Sequence, residues 1–291
     1  MSNYIIFDGM KIGKLATGET GWEADVFPVD IDGTPARQFE VYEPIGRIGN
    51  IIIDNRRYAD VEHSYWVIIQ NNADSAYHEC AGFLQSRTGY CRLSDSWHTN
   101  EFYKAYVSEP IEPIFDKLRE TVKFVVTFTR QPQRFLTSGE ESVVTTTSQI
   151  DTAAFTNPTD YAAFPLIKWT AQQQYLTNSV KLFDICKDNN GSAGQTLYKV
   201  GFYSRLGIET YIPNRANVVV DFAAYSAYRE AGGVFNYTQR NLNNCFNITK
   251  GSSDFPGSSM DFFTLPAHTK LHIVVPAEIT TLQFFPGWWR L

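Results

Sequence analysis

Apolar and polar residues alternate along much of this chain. From Thr121 to Thr129, Val122, Phe124, Val126 and Phe128 share one face of an extended segment, and Lys123, Thr127 and Thr129 fall on the other. Successive side chains of a strand point to opposite faces, so this period of two predicts a half-buried β-strand. Val61, His63, Tyr65, Val67 and Ile69 alternate with Glu62, Ser64, Trp66, Ile68 and Gln70 in the same way. Near the end of the chain Leu271, Ile273 and Val275 line up, and Leu282 and Phe284 follow beyond a turn. Short strands separated by Gly, Pro, Asn and Asp clusters predict a mainly β protein made of sandwiches or barrels.

One segment has a different period. Ala76, Tyr77, Cys80, Phe83 and Leu84 recur at helical spacing, with Asn72 or Asp74 placed to cap the start and Gly89 shortly beyond the end. This predicts one helix over 73–86, packed on a sheet by that stripe.

The organisation reads as two domains. At 291 residues the chain is about twice the length of a common domain. The run from Thr137 to Gln149 is polar, rich in Ser and Thr, and lacks a helical period. It predicts a linker, or an exposed strand leading into the second domain, at 138–150 between a first domain at 1–137 and a second at 151–291. A second polar stretch, Lys187 to Gly194, predicts a loop tip between strands of the second domain.

Composition narrows the function. The net charge is −6, which argues against a basic clamp on nucleic acid, because phosphate binding draws on clustered Lys and Arg. No apolar run approaches the ~18–20 residues of a membrane span. The start of the chain lacks the basic and apolar regions of an export signal, which predicts synthesis and folding in a cytosol. The four cysteines, Cys80, Cys91, Cys186 and Cys245, then read as free thiols.

Candidate chemistry is sparse. The chain carries no phosphate-binding glycine loop, no dinucleotide fingerprint and no nucleophile elbow. His268 and His272 stand four apart, but without the Glu of a zinc-protease helix and in a strand context. His78, Cys80, Cys91 and His98 match no common zinc spacing. Glu140-Glu141 reads as a solvated charge pair rather than an acid–base dyad. Phe284-Phe285 and Trp288-Trp289 fit core packing better than a sugar platform. The expectation is a non-enzyme with no catalytic residues, no cofactor and no metal.

Several motifs, in order, resemble one family. Glu43-Pro44-Ile45-Gly46-Arg47-Ile48-Gly49 is similar to a Pro-Gly-Arg-x-Gly turn, with one extra residue between Pro44 and Gly46. Arg57-Tyr58-Ala59-Asp60-Val61-Glu62 resembles the strand that follows it. Gly89-Tyr90-Cys91-Arg92-Leu93-Ser94-Asp95 is similar to a G-Y-x-x-L-x-D segment. Phe128 to Leu136 resembles an F-x-x-x-P-x-x-Y/F-L ending. Asn157-Pro158-Thr159, Val219-Val220-Asp221, Leu265-Pro266-Ala267 and the closing Phe285-Pro286-Gly287-Trp288 continue the match, although Ala267-His268-Thr269 replaces a Gly-x-Asn turn. Together they resemble the distal tail protein (Dit) family of long-tailed, non-contractile bacteriophages, the siphophages.

The resemblance implies an N-terminal β-sandwich with one helix and an extended hairpin, followed by a C-terminal galectin-like β-sandwich. The first sandwich would close into a homo-hexameric ring, single or stacked, with the second sandwich outside it. That ring would be a structural hub at the virion tail tip, assembled in the bacterial host cytoplasm. Its implied partners are the tail tube protein, a tail-associated lysin or fibre protein, and a receptor-binding protein. DNA would pass through the lumen without specific binding, which suits an acidic chain, and no membrane is engaged. Gly46, Arg47, Arg57 and Tyr58 are the expected ring contacts, since Arg and Tyr are favoured in interface cores. The competing reading is a carbohydrate-binding adhesin that contributes to host-surface recognition.

Overall fold

The computed structural model describes residues 3–29, 33–46, 48–116, 120–145, 150–171, 180–202, 212, 215–224, 226–230, 240–242, 246–250, 264–276, 279 and 281–291. The chain is mainly β and divides into two compact units, residues 1–135 with Leu291, and residues 136–290.

The first unit contains strands β1 (Tyr4–Phe7), β2 (Met10–Gly13), β3 (Gly21–Trp22), β4 (Ala24–Pro28), β5 (Arg37–Tyr42), β6 (Ile51–Tyr58) and β7 (Val61–Gln70). Helix α1 (Ala73–Ser86) follows, then β8 (Cys91–Asp95), β9 (Glu101–Val107), β10 (Ile114–Asp116) and β11 (Thr121–Arg130). A short strand, β12 (Arg134–Leu136), spans the boundary in the chain between the two units. The main sheet runs β3-β2-β1-β8-β9-β11-β7-β4, with β10 also paired to β11. The two strongly alternating segments form its spine: β7 and β11 pair antiparallel over ten residues, from Val61 opposite Arg130 to Gln70 opposite Thr121.

The inward face of that spine is fully buried through Tyr65, Val67, Val122, Phe124, Val126 and Phe128. β11 is more buried than the expected half-buried strand, because Thr127, Thr129 and Arg130 on its second half are buried as well. There β11 pairs with β9 on one side and β7 on the other.

α1 is the one α-helix among the described residues, and it covers the predicted span. It buries Ala73, Tyr77, Cys80, Ala81 and Leu84, while Ala76 and Phe83 are half-buried at the edge of the stripe. Asn71 and Asn72 both take positive φ before it, a conformation Asn tolerates better than most residues. The Asn72 side chain makes no capping bond; its backbone carbonyl instead accepts from the Ala76 N–H at 3.0 Å. The Tyr77 hydroxyl donates to the Ile111 carbonyl at 2.7 Å, and its ring meets Phe124 edge-on at 5.3 Å, which fixes the helix on the sheet.

The second unit contains β13 (Val144–Thr145), β14 (Ile150–Thr156), β15 (Leu166–Thr170), β16 (Val180–Asn189), β17 (Ser192–Phe202) and β18 (Asn217–Asp221). It continues with β19 (Ser226–Arg229), β20 (Arg240–Asn241), β21 (Phe246–Lys250), β22 (Lys270–Val275), β23 (Leu282–Phe285) and β24 (Trp289–Arg290). Two antiparallel sheets, β13-β23-β15-β18-β19-β20 and β14-β22-β16-β17-β21, share one apolar core. Phe284 of the first sheet lies 5.6 Å from Phe155 and 5.9 Å from Phe183 of the second, and Trp169 stacks near Phe202 at 6.4 Å. These contacts make the unit a β-sandwich.

The structure sharpens two expectations. Residues 138–150, expected as a linker or an exposed strand leading into the second domain, contain such a strand, β13, whose Val144 and Thr145 pair with Phe284 and Gln283 of β23. Gly139 is buried, and its carbonyl accepts from the Gly287 N–H at 3.0 Å. The polar side chains of this run hid a backbone that completes a sheet edge. The expected loop tip at 187–194 is the tip of a tight hairpin, narrower than expected, with β16 reaching Asn189 and β17 starting at Ser192. Asn190 and Gly191 both take positive φ, as a two-residue turn of this hand requires.

Candidate assembly surface

The chain after β4 leaves the main sheet and returns as a separate two-stranded hairpin, β5–β6. The two strands pair antiparallel, with Val41 opposite Ile52 and Tyr42 opposite Ile51. The base of the hairpin is pinned by local bonds. The Ala59 N–H donates to the Ala36 carbonyl at 2.8 Å, and Arg37 Nε donates to Asp54 Oδ1 at 3.2 Å. Just beyond, the Tyr90 hydroxyl donates to Asp60 at 2.5 Å. That bond to a carboxylate favours the neutral phenol and pushes the Tyr90 hydroxyl up to about 12.

The hairpin is unusually apolar for an exposed ribbon. Tyr42 is 62% and Ile52 65% exposed, and Phe39, Val41 and Ile53 are each about half exposed. At the tip, Ile45 and Ile48 are completely exposed. A two-stranded ribbon is marginal by itself in water and needs a further layer for stability. Among the described residues, all the large exposed apolar side chains lie in the first unit.

The predicted contact residues occupy two ends of this ribbon. Gly46 sits at the exposed tip with φ +80°, a left-handed turn position that suits glycine. Arg47 lies outside the described residues. Arg57 is exposed opposite Gln38, and Tyr58 is half-buried opposite Arg37, both near the base. At ~3.3 Å per residue the two groups are roughly 20 Å apart, so they do not form one cluster. The residues the motifs missed lie between them: Phe39, Val41, Tyr42 and Ile51-Ile52-Ile53. Their signal was the unbroken apolar run at 51–53.

Elsewhere, groups with chemical potential are tied up structurally. Asp95 accepts from the backbone N–H groups of Trp97 and His98 and from the Tyr65 hydroxyl, and His98 Nδ1 lies 3.1 Å from it. This is a turn lock rather than an activated nucleophile. His272 pairs across the sheet with Cys186, and its Nε2 lies 2.5 Å from Asp188. That trio has the composition of a Cys-His-Asp site, but His272 and Cys186 are both buried. Desolvation also pushes the Cys186 thiol up, away from the reactive thiolate. Burial likewise pushes the Cys80 thiol up to about 12, while His78 stands exposed on α1 facing Asp74 at 3.6 Å. His268 is an exposed turn residue with φ +50°, 2.7 Å from Asp160. Cys245 lies outside the described residues. Among the described residues no group of three His, Cys, Asp or Glu side chains is arranged to hold a metal, and no helix is long and apolar enough to cross a membrane.

Phe284, Trp288 and Trp289 pack inward, while Phe285 is half-buried with the Lys168 ammonium over its ring at 5.9 Å. Phe284 and Trp288 are buried, and Trp289 stacks on Tyr161 at 4.6 Å while its Nε1 donates to the Ala162 carbonyl at 3.0 Å.

Fold and surface together define a two-unit β protein whose outstanding exposed feature is an apolar hairpin. The chain shares its fold, over 99% of its own length and 99% of the other's, with the SPP1 Dit (gp 19.1) protein, at a TM-score of 0.52 and 14% identity. That protein is described as a paradigm of the hub adsorption apparatus in phages that infect Gram-positive hosts. The phage P2 baseplate in its activated conformation, with Ca and with Sr, contains chains matched at TM-scores of 0.49 and 0.48 and 9% identity. Those matches cover 98% and 100% of this chain and 97% and 98% of the baseplate chains. No family model and no curated protein matches the chain in sequence.

Proposed function

We propose that this protein is a structural hub of a siphophage tail tip. Its first unit closes into a homo-hexameric ring, and its second unit lies outside that ring. The ring joins the tail tube to the fibre, lysin or receptor-binding proteins below it and lets DNA pass through its lumen. The observation that carries this reading is the exposed apolar hairpin, a surface that makes sense when another protein covers it. The shared fold with the SPP1 hub protein supports the choice of a phage tail. The concentration of exposed apolar side chains in the first unit supports giving that unit the assembling role. The buried aromatics of the second unit favour a packed core over a sugar platform.

The reading is tested by light scattering on the purified chain and on a variant with Phe39, Val41 and Ile52 changed to Ser. The unaltered chain should give the mass of a closed oligomer, and the variant should shift to monomer with an unchanged far-UV spectrum. A variant that keeps the parental mass would remove the hairpin from the assembly.

A further inference from the structure

In the second unit, the far end of the β16–β17 hairpin has little to hold it. β16 runs beside β22 from Asp184 to Lys187 and leaves it at Asp188. From Lys187 to Thr196 no residue is buried, so this end adds no side chain to the apolar core. Its backbone ladder is also broken, because β17 carries an extra residue on each side of Thr196 where it pairs with β16. Such bulges leave residues unpaired and disrupt the ladder locally. Segments with few buried apolar contacts open at a small fraction of the cost of unfolding the whole domain.

One carboxylate ties this end down. Asp188 Oδ1 lies 2.5 Å from His272 Nε2 and 3.1 Å from Lys270 Nζ, both on β22. Asp188 Oδ2 accepts from the Gly191 N–H of the turn at 3.5 Å. The residues opposite are uncharged: Ala193 of β17 faces Asp188, and Ala154 and Thr156 of β14 face His272 and Lys270. Asp184 and Cys186 share the outward face of β16 with Asp188; Asp184 is held by Lys181 at 3.0 Å and lies opposite Lys199. His272 Nδ1 is buried without a partner, so Asp188 makes the hydrogen bond of that ring. Cys186 is buried opposite His272 in β22 and opposite Thr196 in β17, its Sγ 3.7 Å from Thr196 Oγ1.

We propose that Asp188 is an acid-sensitive clasp: ionised, it fastens the hairpin end to β22, and protonated, it lets residues 187–196 move away and uncovers Cys186. Protonation removes the charge from two charge-assisted hydrogen bonds at once. Lys270 and His272, two residues apart on the same face of β22, then lose the counter-charge they share. No apolar contact of the tip resists the movement, while Phe183 and Ile185 on the other face of β16 keep their places in the core. The hydrogen bond from His272, then that from Lys270, holds the Asp188 carboxyl below its ordinary range, which puts release on the acid side of that range. This inference does not depend on the hub reading.

Labelling of Cys186 in the unaltered full-length chain tests the clasp. The reagent is a dipyridyl disulfide, which reacts with thiols in acid as well as near neutrality, and each cysteine is followed by peptide mass. At every pH the rate in the folded chain is divided by that in urea, which cancels the intrinsic pH dependence of the reaction. The clasp predicts that the protection of Cys186 falls about ten-fold or more between neutral pH and about pH 3, with that of buried Cys80 and the emission of buried Trp169 and Trp288 unchanged. It also predicts that Asp188→Asn lowers Cys186 protection near neutral pH by a similar factor and removes its acid dependence. Equal protection of Cys186 at both pH values would overturn the proposal. Loss of protection only together with a shift in tryptophan emission would overturn it as well, since the unit would then open as a whole. An Asp188→Asn chain with parental protection near neutrality would take the clasp away from this carboxylate.

Discussion

Phe284→Ala offers a measured check on the core of the second unit. Phe284 is fully buried in β23, between β13 and β15, and its ring meets Phe155 at 5.6 Å and Phe183 at 5.9 Å on the opposite sheet. Removing the ring deletes contacts to both sheets and leaves a cavity the surrounding strands cannot fill. Such Phe-to-Ala changes cost about 3–5 kcal/mol. A domain of this size has only ~5–15 kcal/mol of stability in total. For a unit spanning 136–290, each kcal/mol moves the midpoint by about 2–4 °C, so the expected fall is roughly 6–20 °C. Differential scanning calorimetry reads it directly, and the fluorescence of buried Trp169 and Trp288 reports the same unit. Phe39→Ala serves as the control. Phe39 is more than half exposed on the hairpin, so the same chemical change there should stay within about 0.5 kcal/mol in the monomer. A Phe284→Ala midpoint within about 2 °C of the parent, or equal falls for both variants, would refute the placement of Phe284 in the core.

Gly139→Ala should destabilise the second unit by at least ~1–3 kcal/mol in urea melts, because a Cβ there runs into the backbone of Gly287 and Trp288. A linker glycine would tolerate the change. Truncation after Thr281 removes β23 and its buried Leu282 and Phe284, and it should leave residues from 150 onward protease-sensitive under limited proteolysis. The hydrogen bond from His272, followed by that from Lys270, holds the Asp188 carboxyl below its ordinary value. A lowered folded-state pKa contributes stability that is present above the unfolded value and lost as pH falls through the folded one. Asp188→Asn should therefore flatten the acid side of the stability curve below about pH 4, measured by thermal melts across pH. Separate fragments of residues 1–135 and 136–291 should each melt cooperatively, with only the first forming the oligomer in light scattering.

Local periodicity made some of this structure legible in the sequence. β7 alternates over its whole length and β11 over its first half, and α1 has a clear stripe, so their spans could be read from the residues alone. What local patterns could not carry was pairing between distant residues. β13 is two residues of a Ser/Thr-rich run, and its partner Phe284 lies 140 positions away. The Asn190-Gly191 turn was visible as a dipeptide, yet the polar residues around it read as loop because both flanking strands continue into them. At the hairpin, the motif positions Gly46, Arg57 and Tyr58 marked the tip and base. The apolar surface between them was written in Ile51-Ile52-Ile53, a pattern that looks like core until the fold leaves it uncovered. His272 and Cys186 show the reverse case, where residue types that suggest chemistry are buried by the sheet that brings them together.

The central claim is that copies of this chain close into a ring, and electron microscopy of the purified full-length chain tests it most directly. End-on views should show a closed six-fold ring with an open lumen wide enough for duplex DNA, and side views one ring or two stacked. Isolated particles the size of one 33.1-kDa chain at every concentration, or open filaments in which the contact repeats without closing, would contradict it.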